Sequence, residues 1–234
     1  MSMPIGFAHR GARLVEPENT IPAFRRALEA GAGGLESDAW LSADGAVVLV
    51  HDGVVGRGLR RRRVADLTAG ELAARGVPRL VDLYEELGVD FELSVDAKTP
   101  EVATPLVEVA RAHGAVERLW VCSPAVDLLL PLRGTGARLV HSPPFKRLVT
   151  ESLERHAANL ASLGVDAINF HHTEWTAGLV SLFHRFARRA FAWDAQEVRQ
   201  LRAVLQIGID GVFCDRPDRL VATIGEWSSE AGSD

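Results

Sequence analysis

The chain has 234 residues, 47% of them hydrophobic and 24% charged, with a formal net charge of −5. That length can bury one large core, and the composition is ordinary for a soluble globular protein. The negative balance disfavours a general nucleic-acid binder, and no apolar run reaches the roughly 20 residues that a membrane helix requires.

In chain order, short apolar runs alternate with amphipathic stretches. Strands are predicted over residues 5–8, 34–39, 47–50, 90–95, 119–123, 138–140, 167–170, 189–193 and 211–214. Between and after them, helical patterns cover 21–30, 81–87, 102–113, 125–132, 150–163, 177–186, 198–207 and 217–224. Regular alternation argues for a parallel sheet covered by helices. Eight such units in one uninterrupted domain, residues 1–234, predict an α/β fold, a (β/α)8 TIM barrel. A doubly wound open sheet is the alternative. The extra strand at 47–50 reads as a hairpin return beside 34–39, turning at Ser42-Ala43-Asp44-Gly45. The irregular segment at about 52–80 reads as a short insertion after the second strand unit, and the small acidic tail 227–234 is expected to fray. Cys122 and Cys214 are the only cysteines, each inside an apolar run, so no disulfide framework is expected. The opening MSMPIGFAHRG lacks the basic and long apolar regions of a secretory signal, which predicts a cytoplasmic location; a chain already stripped of its signal would read the same.

In a barrel, side chains at the C-terminal strand ends converge on one rim. The first strand ends in His9 and Arg10. The second carries Glu36 and Asp38, two apart and so on one side of a strand. The hairpin return leads to His51 and Asp52, the third strand to Asp96 and Lys98, the seventh to Trp193 and Asp194, and the eighth to Asp215 and Arg216. Glu36, Asp38 and Asp96 repel one another unless something positive compensates. All-oxygen ligation points to one hard divalent cation, Mg²⁺ or Ca²⁺, with Mn²⁺ as a further candidate. Arg10 offers a planar fork for an anionic oxygen and Lys98 a point charge, unless Lys98 only pairs with Asp96. His9 and His51 suit general base and general acid at neutral pH. A metal, two cations and an acid/base pair are what displacement at phosphorus needs. Each residue alone also has a plain structural reading; their joint appearance at successive strand ends favours the functional one.

His9-Arg10-Gly11 is followed by Pro17-Glu18-Asn19-Thr20 and Ala23-Phe24. Glu36-Ser37-Asp38, Val50-His51-Asp52, Val95-Asp96-Ala97-Lys98, Trp193, Gly208-Ile209-Asp210-Gly211 and Asp215-Arg216-Pro217 come after it in order. With this ordered set the chain, from about residue 7 to 220, resembles the glycerophosphodiester phosphodiesterases of the TIM-barrel phosphodiesterase superfamily. The resemblance implies metal-dependent cleavage of a small-molecule glycerophosphodiester to sn-glycerol 3-phosphate and an alcohol. It further implies attack by the substrate's own 2-hydroxyl on phosphorus, and a cyclic phosphate that water opens. His9 and His51 are then the catalytic acid and base, exchanging roles between steps. Arg10, Lys98 and Trp193 contact substrate, and Glu36, Asp38 and Asp96 hold the metal. No nucleic acid and no stable membrane insertion are expected, and the sequence sets no oligomeric state.

Three departures stand out. Asp96 replaces the family's Glu, one methylene shorter, so a metal must shift or a water must bridge. Asp194 and Gln196 replace polar-neutral and Asn positions, which predicts a different alcohol-side pocket. Arg57 is kept but is followed by Arg60 to Arg63, a solvated face or capping cluster unless it holds an anionic headgroup. Gly11 lets the backbone turn after the first strand. Asn19 or Thr20 caps the next helix, with Pro22 in its first turn, so Pro-Glu-Asn-Thr reads as scaffold, with contact of Glu18 to the site as the alternative. His141 reads as structural, while His171 and His172 either line the mouth or are structural. Phe145, Trp175 and Trp193 floor a pocket or pack a core. Two functional alternatives stand: a related enzyme acting on lysophospholipid or another phosphodiester, and a non-catalytic phosphodiester-binding barrel. Asp96 is the motif-level argument for the latter, and the presence of both His9 and His51 opposes it.

Overall fold

Runs such as Val212-Phe213-Cys214 are buried on both faces, as parallel strands under a layer of helices must be. The computed structural model describes residues 3–148 and 152–231. Its strands are β1 (Ile5–His9), β2 (Gly34–Leu41), β3 (Val47–Leu49), β4 (Val54–Val55), β5 (Arg62–Arg63), β6 (Glu92–Ala97), β7 (Leu119–Ser123), β8 (Arg138–His141), β9 (Ala167–His171), β10 (Arg189–Trp193) and β11 (Gly211–Cys214). Its helices are α1 (Ile21–Glu29), α2 (Ala69–Ala73), α3 (Leu80–Leu87), α4 (Pro100–Ala112), α5 (Val126–Leu129), α6 (Phe145–Leu148), α7 (Leu153–Ser162), α8 (Ala177–Arg185), α9 (Val198–Gln206) and α10 (Pro217–Ala231).

Strands β1, β2, β6, β7, β8, β9, β10 and β11 pair in parallel in that order, and β11 returns to β1. On one side of β1, Ile5 pairs with Gly211; on the other, Phe7 pairs with Gly34. The sheet is therefore a closed (β/α)8 barrel, and the open doubly wound alternative is excluded because no parallel strand is left as an edge. Strand β3 runs antiparallel against the end of β2, Ala39 facing Leu49. The expected turn joins them, with Ser42 Oγ on Asp44 Oδ1 at 2.6 Å.

Phe7, Trp120, Cys122, Val140, Ala167, Phe191 and Phe213 form one buried cluster, and Phe7 stacks on Phe213 at 4.7 Å. A Cβ on Gly34 would lie 2.6 Å from Phe7 Cδ1, so glycine is what admits that ring beside β2. The larger cluster joins the strands to the helices; α1 buries Ile21, Ala23, Phe24 and Ala27. No helix among the described residues is long and apolar enough to cross a membrane.

The structure departs from the sequence expectation in four places. The helix expected over 125–132 divides into α5 and a 3-10 turn at Leu130–Leu132, because Pro131 has no N–H to continue the α ladder. The expected start of the next helix, residues 150 and 151, lies outside the described residues; α7 begins after Ser152, whose side chain caps it. The tail does not fray where expected. Helix α10 runs through Ala231, with Leu220 and Ile224 buried and Trp227 packed beside them on one stripe, while residues 232–234 lie outside the described residues. The irregular segment carries the β4–β5 hairpin, α2 behind a Thr68–Glu71 capping box, and a small core. Val55, Val64, Leu67, Leu72 and Val77 form that core with Val48. Arg57 and Arg60 to Arg63 on this segment are exposed, as a solvated face requires.

Candidate active site

Strand register places the acidic residues. His9 sits opposite Glu36, and Asp38 opposite Asp96. Alternation along β2 turns Glu36 and Asp38 to the same face. Glu36 is 6% exposed and Asp38 2%. One oxygen from each of Glu36, Asp38 and Asp96 lies within 4.8 Å of the others.

The turn after β1 builds the surroundings. Gly11 at φ +77 brings its backbone against α1, where a Cβ would meet Ala23 C at 2.7 Å. The Arg10 N–H donates to Glu36 Oε2 at 3.0 Å. Asn19 adopts φ +56, a region Asn tolerates better than most residues. Its Nδ2 donates to Asp38 Oδ2 at 3.1 Å, and its Oδ1 accepts from Ser37 Oγ at 2.8 Å. The helix cap falls to Thr20, so Asn19 orients a carboxylate instead. Glu18 is likewise part of the network: it takes Arg10 Nη1 at 3.0 Å and Arg13 Nη2 at 2.8 Å. Arg10 Nε lies 3.4 Å from Asp38 Oδ2, within ion-pair reach but without an aligned hydrogen bond. Lys98 Nζ sits 2.6 Å from Asp38 Oδ1 and 3.3 Å from Asp96 Oδ2.

His9 Nδ1 is 2.6 Å from Asp215 Oδ1, and its Nε2 is 3.8 Å from Glu36 Oε2. Gln196 Oε1 accepts the Asp215 N–H at 2.9 Å and so ties the end of β11 to the turn after β10. Asp215 thus fixes one ring nitrogen and leaves the other toward the carboxylates, a relation that register 206 residues apart hides from sequence reading. Its sequence signals are its place at a strand end and in the closing Asp215-Arg216-Pro217 motif, neither of which names His9 as its partner.

The charges are perturbed accordingly. Burial pushes the Glu36 carboxyl up to about 8; Asp38 and Asp96 push the same way, while His9 opposes. Burial opposes charge on His9, but Glu36 and the Asp215 bond outweigh it and raise its pKa. Burial likewise opposes charge on Lys98, and Asp96 and Asp38 outweigh it, raising its pKa. For Glu36, the native state holds a proton between about 4.5 and 8 that the unfolded chain releases. For His9, stability present below the ordinary value is lost as pH rises through the raised one. Both effects have the same sign. Asp215 is lowered by His9 and Arg13 against the burial that would raise it, so its contribution is lost only in acid. With all divalent metal removed, the melting temperature should therefore fall from pH 5 to pH 8, and Glu36→Gln should flatten that slope. A scanning-calorimetry series at several pH values checks this; a metal-free slope that Glu36→Gln leaves unchanged rules it out.

A cavity of about 570 Å³ opens over these groups. His9, Arg10, Glu36, Asp96 and Trp193 line it, with Cys122, Asn169 and Asp194. Lys98 lines a neighbouring cavity that shares Asp96 and Cys122 with the first. His51 is not in the first lining: with Glu18 and Asn19 it borders a smaller hollow of about 130 Å³, its Nδ1 3.0 Å from Asp52 Oδ1. Arg10 and Glu18, bonded to each other, line one hollow each. His141 is buried and its Nδ1 meets His156 Nε2 at 3.2 Å, a structural pairing. Trp175 belongs to the core, donating to Phe191 O at 2.9 Å, and Phe145 packs edge-on to Phe170. Of the three aromatics considered for a pocket floor, Trp193 alone lines this cavity.

Residues 9–219 match the model of the glycerophosphoryl diester phosphodiesterase family. A glycerophosphodiester phosphodiesterase of Caldanaerobacter subterraneus subsp. tengcongensis is 26% identical, over 92% of this chain and 95% of its own. The solved glycerophosphodiester phosphodiesterase of Thermotoga maritima superposes with a TM-score of 0.83 at 24% identity, covering 95% of this chain and 99% of that one. A phosphodiesterase of Oleispira antarctica, solved with its product sn-glycerol-3-phosphate, gives a TM-score of 0.80 at 20% identity, over 95% and 97%.

Proposed function

The chain belongs to the glycerophosphoryl diester phosphodiesterase family, and from that membership we propose that it hydrolyses glycerophosphodiesters to sn-glycerol 3-phosphate and an alcohol with the help of one divalent metal ion. The observation that carries this reading is the gathering of Glu36, Asp38 and Asp96 beside a carboxylate-anchored His9 at the mouth of a closed barrel.

The three carboxylates fit a cation. They offer oxygen donors only, they lie close together, and the buried Glu36 pays heavily for ionising without one. Such an ion supplies charge stabilisation to the phosphoryl group and helps to position the diester. The chain's own side chains do the rest. In the neutral form that acts as base, a proton on His9 Nδ1 held by Asp215 leaves Nε2, 3.8 Å from Glu36 Oε2, to accept or return a proton. His51, anchored by Asp52 in the same manner, borders the hollow lined by Glu18, while Arg10, bonded to Glu18, lines the cavity of His9. In the proposed complex the Arg10 guanidinium takes a phosphoryl oxygen held between the two histidines. One histidine takes the proton of the substrate's 2-hydroxyl as its oxygen bonds to phosphorus, and the other protonates the departing alcohol. The roles exchange when water opens the cyclic phosphate. Lys98 holds Asp38 and Asp96 in place and adds positive charge beside them. The whole chain is read as one catalytic domain with segment 52–80 as its insertion. The buried free thiols of Cys122 and Cys214 suit a reducing compartment such as the cytoplasm.

The test is release of sn-glycerol 3-phosphate from glycerophosphocholine with Mg²⁺, Mn²⁺ or Ca²⁺ supplied in turn. No release with any of them overturns the reading. A second prediction follows from Asp96, whose side chain is 42% exposed and faces open space. Asp96→Glu should keep kcat/KM within about threefold, since it adds one methylene and no charge. Asp96→Asn should lose about 10² or more, because it takes a charge from the cation's shell. A harmless Asn and a damaging Glu would show that Asp96 touches no metal.

A further inference from the structure

Trp193 and Asp194 lie side by side in the lining of the same cavity. Strand β10, which delivers them, is separated from β2 by β11 and β1, so they stand away from the carboxylate cluster. Trp193 is 43% exposed, unusual for a residue of its size. It is nevertheless held: the His171 ring packs edge-on against it, centroids 4.6 Å apart at 78°. The same imidazole holds Asp194, with Nε2 3.2 Å from Oδ2, while Gln196 Nε2 donates to Oδ1 at 3.1 Å. His171 is in turn fixed by Thr173 Oγ1 at 2.7 Å from Nδ1. Asp194 also carries φ +64, so the backbone accepts a rarely used conformation that presents this carboxylate to the cavity. Among the described residues, no lysine or arginine lies within ion-pair distance of it; His171 is its one such partner.

An indole face beside a carboxylate is suited to a cation. The ring attracts positive charge through its quadrupole, and a quaternary ammonium, which has no N–H to donate, is bound by such faces in preference to hydrogen-bonding groups. A neutral polyol gains little from either. We propose that Trp193 and Asp194 form an ammonium subsite that selects diesters of amino alcohols, choline or ethanolamine, over diesters of neutral polyols. This rests on the phosphodiesterase reading above, with the alcohol half of the substrate lying toward β10.

The test compares kcat/KM for glycerophosphocholine with that for glycerophosphoglycerol at pH 8, in the metal-loaded enzyme and in Asp194→Asn. Asparagine tolerates the same backbone conformation, so the substitution removes charge with little change of shape. The wild type should prefer the choline diester, and Asp194→Asn should reduce that preference about tenfold. Trp193→Leu should reduce it as well. A preference that neither change moves overturns the subsite while leaving hydrolysis intact. Calorimetric titration with choline chloride gives a readout independent of turnover. Saturable binding that weakens about tenfold in Asp194→Asn supports the subsite even if no diester is hydrolysed, in which case the phosphodiesterase reading alone falls. Choline that fails to bind, or binds both proteins equally, counts against the subsite.

Discussion

Thorough chelation should abolish glycerophosphodiester hydrolysis, and Mg²⁺, Mn²⁺ or Ca²⁺ added back should restore it. The expected loss is at least about 10³-fold, equivalent to several kcal/mol of transition-state stabilisation. Glu36→Gln should reproduce the loss without chelator, because it removes one anionic donor from the cluster. The same change should stabilise the metal-free protein at pH 8, since a buried carboxyl raised to about 8 by burial and by its acidic neighbours is replaced by a neutral amide. Opposite signs on activity and stability distinguish a metal ligand from a scaffold residue, whose loss lowers both. Full turnover after chelation would falsify the metal assignment.

His9→Ala and His51→Ala should each lower kcat by about 10²–10⁴, with smaller changes in KM. The double variant should lose less than the product of the two, because groups that act in one proton circuit are not additive. A substrate with a strongly activated leaving group needs no proton to expel it. It should therefore rescue whichever variant lacks the acid, and not the one lacking the base. Asp215→Asn provides a companion measurement: the 2.6 Å contact to His9 Nδ1 remains possible, but the amide can donate to that nitrogen and favour the wrong tautomer. Its loss should appear in kcat and not in substrate affinity. Near-native turnover on a poor leaving group in both histidine variants would leave them with structural or phosphate-holding parts only.

The barrel was legible because its strands are short apolar runs whose polar neighbours fall at one end, as in Ala8-His9-Arg10 and Val95-Asp96-Ala97-Lys98. Alternation along β2 was enough to put Glu36 and Asp38 on one face. Relations across the closed barrel were not legible. Asp215 could be placed at a strand end, but its bond to His9 depends on which strands meet when the sheet closes. Asn19 was read as a cap or scaffold because Asn is common before helices; its positive φ turns the side chain inward onto Asp38 instead. A site contact for Glu18 was open from sequence, but its partners were not legible, since Arg10 and Arg13 reach it only after the chain reverses. The amphipathic stripe that carries α10 to Ala231 was masked by the small and acidic residues around Trp227.

The seam between β1 and β11 also has a bearing on the order of events when the protein folds. Strand β1, already beside β2, waits for β11, almost the full length of the chain, before it finds its second neighbour. Closing so long a loop is entropically slow, and until then the first strand presents an unpaired edge. The His9–Asp215 contact spans that same seam. A ribosome-bound or truncated chain that stops short of β11 can own most of the helices and most of the sheet, yet it lacks the carboxylate that orients its histidine. On the proposed role of His9, catalytic competence should arrive only with topological completion, and a chain that stops short of β11 is expected to be chemically silent.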